Sequence, residues 1–221
     1  AAASRARPPV VAPRRRAFGT SAADAAQNLA DVRDLLRTRL SMTDAELGRV
    51  VRFQPAGARA TVEPKLGWLQ TRFDLDAAQM KKVVLTFPPL LLKRVESMES
   101  NCDWLQRRLG LDDAGLRKMV LSLPSLLSFS VEDNMELKLE WLQTRLDLDA
   151  AQLKKVGVAR PHLLGYSVEA NIAPTLDWLQ TRLDLDAAQL KKVVLGRPSL
   201  LALSVEDNIA PKLDWLQTRL D

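Results

Sequence analysis

Basic side chains recur at fixed intervals along this sequence, and their spacing suits a chemical role. An arginine follows four residues after each of five tryptophans, and a basic pair follows thirteen and fourteen residues after the first four. The arginines are Arg72, Arg108, Arg145, Arg182 and Arg219, and the pairs are Lys81/Lys82, Arg117/Lys118, Lys154/Lys155 and Lys191/Lys192. If repeats stack, equivalent residues lie about 8–10 Å apart, or about three base pairs of a duplex. The pairs, and secondarily Arg160 and Arg197 before two prolines, are therefore candidate phosphate contacts.

A second interpretation needs no ligand. Both stripes are predicted near the C-terminal ends of helices, where the helix dipole favours cations. Four aspartates, at positions 76, 112, 149 and 186, recur in the same register and could neutralise the positive charge. The residues alone leave both interpretations open.

Other reactive side chains are scarce. Cys102 is the only cysteine and His162 the only histidine, so no multi-cysteine metal site or Cys/His nucleophile pair can be assembled. The sequence contains no phosphate-cradling glycine loop and no nucleophile elbow. We therefore expect Cys102 and His162 to be packed repeat residues, and we expect a protein that is not an enzyme and has no cofactor or metal.

The tryptophans reveal an internal repeat that must position the basic residues. They lie at 68, 104, 141, 178 and 215, with spacings of 36, 37, 37 and 37, and a proline follows twenty residues after each of the first four. The segment WLQTRLDLDAAQLKKV occurs identically from Trp141 and from Trp178. An older copy precedes them, in which Leu35 holds the tryptophan position and Pro55 follows twenty residues later.

Each unit is predicted to contain two helices and a short third element. In the last copy Ile209, Leu213, Leu216 and Leu220 form one apolar face, after a start signal at Ser204/Asp207, with Pro211 in the first turn or shortly after it. Capping boxes at Asp76/Gln79, Asp149/Gln152, Asp186/Gln189 and Thr43/Glu46 predict where the second helices begin. Pro198 and the residues after it suggest a 3₁₀ turn.

One unit cannot bury its apolar face alone, so neighbours must stack. We predict an all-α fold, a right-handed-type α-solenoid or superhelix of helix-helix-3₁₀ units of about 37 residues, over residues 24–221. This range holds five units and a truncated sixth, and the break within a unit at Asp221 predicts that further sequence follows.

Residues 1–23 differ from the rest in composition. They contain five arginines and no acid, which accounts for the net charge of +5, because 27 basic and 27 acidic residues remain. Arg16, Phe18 and Ser21 follow the R-x-F-x-x-S order of a mitochondrial cleavage signal. We expect an organelle-targeting presequence, mitochondrial rather than plastid, with a basic tail that touches nucleic acid as the alternative. No apolar run approaches the roughly 20 residues of a membrane span.

Three segments carry a family resemblance: LPSLLSFSVEDNMELKLEWL, RPHLLGYSVEANIAPTLDWL and RPSLLALSVEDNIAPKLDWL. They resemble repeats of the mitochondrial transcription termination factor (mTERF) family, and the resemblance covers roughly residues 30–221. The family's Leu-Gly pair is kept at Leu109-Gly110, whereas Asp74, Asp147 and Asp184 replace the glycine elsewhere. The resemblance implies a monomeric organellar protein that binds double-stranded nucleic acid, most readily DNA, and regulates transcription or its termination. Some relatives act on RNA in splicing or ribosome assembly.

The near identity of the units predicts how a ligand is read. If each unit read a different base, the reading residues would differ between units, as in one-base-per-repeat RNA readers. We therefore expect contact mainly with the phosphate backbone and weak sequence preference. A protein-interaction solenoid is the competing hypothesis, since the body of the chain is neutral. One continuous basic surface would favour nucleic acid, and alternating charge would favour a protein partner.

Overall fold

The computed structural model describes residues 22–52 and 59–220, and in these ranges it contains eleven α-helices and no strand. The helices are α1 (Ala22–Leu40), α2 (Asp44–Val51), α3 (Arg59–Phe73), α4 (Ala77–Thr86), α5 (Val95–Leu109), α6 (Asp113–Ser122), α7 (Leu137–Arg145), α8 (Ala150–Ala159), α9 (Ala173–Arg182), α10 (Ala187–Gly196) and α11 (Ala210–Leu220). The predicted cleavage signal and Pro55 lie outside the described residues. Ala22 and Ala23, assigned above to the presequence, begin α1.

The helices pair into repeats as the sequence predicts. Units 1 to 5 are α1/α2, α3/α4, α5/α6, α7/α8 and α9/α10, and α11 is the first helix of unit 6. A five-residue 3₁₀ turn closes units 2 to 5, at Pro88–Leu92, Pro124–Ser128, Pro161–Gly165 and Pro198–Ala202. Second helices of neighbouring units pack on each other, as α2 does on α4 and α8 on α10. The all-α solenoid prediction is confirmed.

A single hydrophobic core runs through the units. The first helices contribute a leucine stripe, such as Leu105 and Leu109 in α5, and the 3₁₀ turns contribute a buried leucine pair, such as Leu163 and Leu164. Cys102 is fully buried within this core, and burial raises the pKa of its thiol to about 12. Cys102 is thus a packed helix residue, as expected. Every unit contributes residues to this core, so neighbours depend on each other for burial.

The second helices begin at the predicted caps. Asp76, Asp149 and Asp186 each accept a hydrogen bond from the backbone N–H three residues later, at 2.8 Å, and the glutamine at that position accepts one through Oε1 from the backbone N–H of the cap. Thr43 and Glu46 form the same box in unit 1. Asp112 caps α6 from its side chain alone. These aspartates are local caps, and none of them forms an ion pair with the basic stripes in the described residues.

The turn between the two helices of a unit contains one left-handed residue. Gly110 has φ 58°, and the aspartates that replace the family glycine, Asp74, Asp147 and Asp184, have φ between 47° and 49°. Ser41 takes the same conformation in unit 1, with φ 49°. A left-handed residue costs little for glycine and more for any residue with a Cβ. The departure from the family pattern is therefore a local strain that leaves the fold unchanged.

The first helices of units 4 to 6 begin with a wider turn than the sequence suggested. Ser130, Ser167 and Ser204 cap a single π-helical turn, at Val131–Glu136, Val168–Ile172 and Val205–Ile209, before regular helix starts. Pro174 and Pro211 are the second residues of the α-helices that follow, where each lacks an N–H donor. Proline is not the sole cause, because unit 4 has a π turn without one.

Candidate nucleic-acid interface

The arginine stripe links neighbouring first helices. Every arginine of the stripe except Arg219, and Arg39 at the same position in unit 1, donates to the glutamine two residues after the tryptophan position of the next unit. The rungs are Arg39–Gln70, Arg72–Gln106, Arg108–Gln143, Arg145–Gln180 and Arg182–Gln217, at 2.8–3.3 Å. Four of the five also pair with a carboxylate, Glu99, Glu136, Asp177 or Asp214. Trp68 reinforces one rung by donating from Nε1 to Glu99 at 2.7 Å. The arginine stripe is therefore an inter-unit ladder of structural bonds.

The first member of each basic pair is a clamp between neighbouring units. Its side chain reaches back to a backbone carbonyl in the left-handed turn of the preceding unit. Lys81 Nζ donates to the Ser41 carbonyl at 3.0 Å, Lys154 Nζ to the Gly110 carbonyl at 2.5 Å, and Lys191 Nζ to the Asp147 carbonyl. Arg117 makes the equivalent contacts with Phe73 and Asp74.

Lys81 also holds a carboxylate in its charged form. Its Nζ lies 2.8 Å from Glu46 Oε2, and the two side chains are only 25% and 20% exposed. Its hydrogen bond, together with the backbone N–H of Thr43, lowers the pKa of Glu46 to about 2. In unit 2 the clamp is therefore an ion pair as well as a hydrogen bond.

The second member of each pair is exposed and has no partner in the described parts of the chain. These residues are Lys82, Lys118, Lys155 and Lys192. The same position in unit 1 is Arg49, which is also exposed. Arg49 was not among the candidates predicted from the sequence, because these were identified as pairs of adjacent basic residues and the residue before Arg49 is Gly48. Its register, fourteen residues after Leu35, is the signal that identifies it.

We call Arg49, Lys82, Lys118, Lys155 and Lys192 the basic row. Its four lysines lie in the middle of α4, α6, α8 and α10, whose last turns contain no basic residue, whereas Arg49 lies in the last turn of α2. The prediction that the lysine pairs sit at helix C-termini is thus wrong, and the helix dipole does not account for them. The helix dipole does account for the arginine stripe, because those arginines lie in the last turn of their helices.

The surroundings of the basic row contain few acids. The helices α4, α8 and α10 carry two lysines each and no acidic residue. In α2 and α6 the acids near the row are paired elsewhere, Asp44 with Arg37 and Asp113 with Arg72. Shallow grooves between successive second helices have a row residue of one unit on one wall and the basic pair of the next unit on the other. The row and the basic pairs thus line the grooves between units 1 and 2, units 3 and 4, and units 4 and 5.

Arg160 and Arg197 occupy a different position. They join a second helix to its 3₁₀ turn, and units 2 and 3 have Phe87 and Leu123 there, so the two arginines form no stripe along the array. Arg197 is exposed, whereas Arg160 is partly buried and its Nε has no hydrogen-bond partner among the described residues. His162, in the next turn, is also partly buried, as expected.

Neither a metal nor a membrane is indicated within residues 22–52 and 59–220. No group of three or more metal-binding side chains occurs in these ranges. None of the helices there is both long enough and apolar enough to cross a bilayer.

Comparison with known proteins agrees with the geometry of the repeat. A search of curated proteins finds no significant match. The model of the mTERF family matches residues 104–221, which is more than half of the 221 residues. That family consists of organellar helical-repeat proteins that bind nucleic acid. The match begins within α5 of unit 3 and includes the π turns of units 4 to 6 and the capped second helices and 3₁₀ turns of units 3 to 5, and the chain belongs to the mTERF family.

Proposed function

We propose that this protein binds double-stranded nucleic acid, DNA in the first place, by setting the basic row against the phosphate backbone. The observation that carries the proposal is the division within each basic pair: the first cation is used inside the protein and the second points to solvent unpaired. Unpaired cations repeated at the pitch of stacked helices, about 8–10 Å, match a repeating polyanion better than a single small ligand.

The charge distribution supports nucleic acid over a protein partner. Positive and negative side chains do not alternate along the second helices, because the acids of α2 and α6 are paired and α4, α8 and α10 have none. On the first helices, by contrast, Arg72, Arg108, Arg145 and Arg182 each meet a carboxylate. The arginine stripe of the first helices is therefore used within the protein, whereas the basic row of the second helices presents charge.

Within an organelle, such binding would regulate gene expression, with transcription and its termination as the step we favour. The row residues are of one chemical type and the units are nearly identical, so binding should depend little on sequence. The R-x-F-x-x-S order of Arg16, Phe18 and Ser21 supports a mitochondrial location in preference to a plastid. Crosslinking in the organelle, followed by sequencing of the attached DNA and RNA, would distinguish transcription from splicing or ribosome assembly.

The direct test is the salt dependence of binding to a 20-base-pair DNA duplex, measured by fluorescence anisotropy. If all five row cations contact phosphates, log K should fall against log salt with a slope near −4.5, at about 0.9 per contact. Replacing Lys82, Lys118, Lys155 and Lys192 by glutamine should make the slope shallower by about 3.6.

A matched variant controls for the loss of charge alone. Replacing Lys93, Arg94, Arg107 and Lys212 by glutamine also removes four exposed cations, none of them in the basic row. This control should keep most of the slope. Equal loss in the two variants, or a wild-type affinity that does not change between about 50 and 200 mM salt, would overturn the proposal.

A further inference from the structure

A third set of contacts recurs in units 2, 3 and 4, between the first helix of the unit and the 3₁₀ turn of the same unit. Three residues before the tryptophan, Lys65 Nζ donates to the Leu91 carbonyl at 2.5 Å, and Lys138 Nζ donates to the Leu164 carbonyl at 2.8 Å. Asn101 makes the equivalent contact in unit 3, from Nδ2 to the Leu127 carbonyl at 3.2 Å and the Phe129 carbonyl at 2.9 Å.

Unit 5 breaks this pattern. Thr175 stands at the position of Lys65 and Lys138, and its hydroxyl donates to the Asn171 carbonyl of its own helix at 2.9 Å. It is only 5% exposed, so its side chain faces inward. The carbonyl equivalent to those of Leu91 and Leu164 belongs to Leu201, and no side chain in the described residues donates to it.

A pocket of about 270 Å³ lies where the longer side chain would run. It is bounded by Tyr166, Asn171, Pro174 and Thr175 on the side of unit 5's first helix, and by Leu201 and Glu206 on the side of the 3₁₀ turn and the next helix. Its size is near the lower end of small-ligand sites, which run from roughly 300 to 1,000 Å³. In unit 4 the equivalent depression, of about 470 Å³, is lined by Lys138 and does not reach Leu164, so the lysine closes off the carbonyl that the unit 5 pocket reaches.

The lining has the polarity of a cation site. Glu206 is its only charged residue, and the other polar groups include the Ser204 hydroxyl. Glu169, the equivalent of Glu206 in unit 4, acts on Lys138 by raising its pKa, while burial, the larger effect, lowers it. The protein thus shows, twice in its own repeats, which group this position accepts: an ammonium at the end of an unbranched alkyl chain.

We propose that the Thr175 pocket binds a primary alkylammonium group, such as a lysine side chain of a partner protein or a free aliphatic diamine. The alkyl chain lies along Pro174 and Tyr166, and the ammonium donates to the Leu201 carbonyl with Glu206 as the counter-charge. This inference is independent of nucleic-acid binding, because none of the basic row lines the pocket.

The test is a titration of the ¹⁵N-labelled protein with n-butylammonium chloride, against sodium chloride at equal ionic strength, followed by amide chemical shifts. We expect saturable shifts at Thr175, Ser204 and Glu206 in the millimolar range, and no such shifts with n-butanol. N-acetyl-lysine methylamide and 1,4-diaminobutane distinguish the two sources. If N-acetyl-lysine methylamide binds as tightly as n-butylammonium, the natural ligand is a protein lysine. If only 1,4-diaminobutane binds, the natural ligand is a free amine.

Two variants keep the proposal falsifiable. Thr175→Lys supplies the missing ammonium from within and should abolish the shifts, whereas Thr175→Ser, which keeps a short side chain, should retain them. If Thr175→Lys does not fold, Glu206→Gln should weaken binding at least threefold. Shifts that do not saturate, that persist unchanged in Thr175→Lys, or that are unaffected in Glu206→Gln would overturn the assignment.

Discussion

Adjacent lysines in α8 have different surroundings although the sequence presents them as a pair. Lys154 donates to the Gly110 carbonyl of the preceding unit, whereas Lys155 is exposed and has no partner among the described residues. The sequence could not distinguish them, because the acceptor is a backbone carbonyl 44 residues away, and a carbonyl is the same for every residue type. Only the stacking of units decides which lysine is the clamp.

The two lysines should therefore separate stability from binding. We expect Lys154→Met to lower the free energy of unfolding by about 1 kcal/mol, since it removes a hydrogen bond from a charged donor. Lys155→Met should change stability by less than about 0.5 kcal/mol, as is usual for an exposed residue. It should weaken duplex binding by roughly 5–10-fold at 0.1 M salt, the effect of losing one phosphate contact. Urea unfolding measures the stability of both variants, and fluorescence anisotropy measures their affinity for the duplex. If Lys154→Met weakened binding and Lys155→Met lowered stability, Lys154 would be the residue that faces the ligand.

The ion pair of Lys81 and Glu46 gives unit 2 a dependence on pH. The pKa of Glu46 is about 2 in the folded protein and near 4.5 as its ordinary value. A carboxyl whose pKa is lowered by folding stabilises the protein above its unfolded pKa, and this contribution is lost as pH falls through the folded pKa. Glu46→Gln keeps a side-chain acceptor for the Thr43 backbone but removes the charge.

We therefore expect Glu46→Gln to lower the melting temperature at pH 7 and to have a smaller effect at each step from pH 4.5 to pH 2. Thermal unfolding by circular dichroism across this range measures it. Glu132→Gln is the matched control, because Glu132 is an exposed carboxylate with no hydrogen bond or ion pair among the described residues. A constant difference between wild type and Glu46→Gln over the whole range would contradict the role of Lys81.

At the scale of helices and turns, what the sequence predicts well is what local spacing determines. The capping boxes at Asp76, Asp149 and Asp186 were predictable because cap and partner are three residues apart. The π turns after Ser130, Ser167 and Ser204 were not, because the same serine cap is compatible with a regular first turn. The left-handed aspartates are an intermediate case. The sequence shows that they replace the family glycine, but their positive φ is known only from the structure.

The turn between the helices of unit 5 offers a test of that conformation. Asp184 has φ 49°, so Asp184→Gly should stabilise the protein by about 0.5 kcal/mol, the relief of a left-handed residue less the larger freedom of glycine in the unfolded chain. Asp184→Val should destabilise it by more than about 1 kcal/mol, because a β-branched residue is poorly tolerated at positive φ. Urea midpoints of the two variants give the comparison. Equal midpoints would mean that the turn relaxes to another conformation.

For the whole molecule, three ladders run in parallel through the units. The arginine rungs join first helices, the lysine clamps join each second helix to the preceding turn, and Lys65, Asn101 and Lys138 tie first helices to their 3₁₀ turns. Most of the recurrent cations thus form bonds within or between units. Residues 24–221 contain equal numbers of acidic and basic residues, and one basic row is nevertheless left unpaired. Net charge alone would not have indicated this surface.

The length of the basic row fixes a length for its ligand. Five cations on stacked second helices span four steps of about 8–10 Å, or about 32–40 Å, which corresponds to roughly 10–12 base pairs. Affinity for blunt DNA duplexes should therefore rise steeply with length up to about 12 base pairs, because each added contact releases counterions, and then rise only as the number of overlapping sites increases. Anisotropy with duplexes of 6, 9, 12, 18 and 24 base pairs at one salt concentration measures it, with the row variant lacking four lysines as the control. A plateau already at 6 base pairs would mean that only one or two units touch the ligand. A steep rise continuing to 24 would mean that cations outside the row extend the interface.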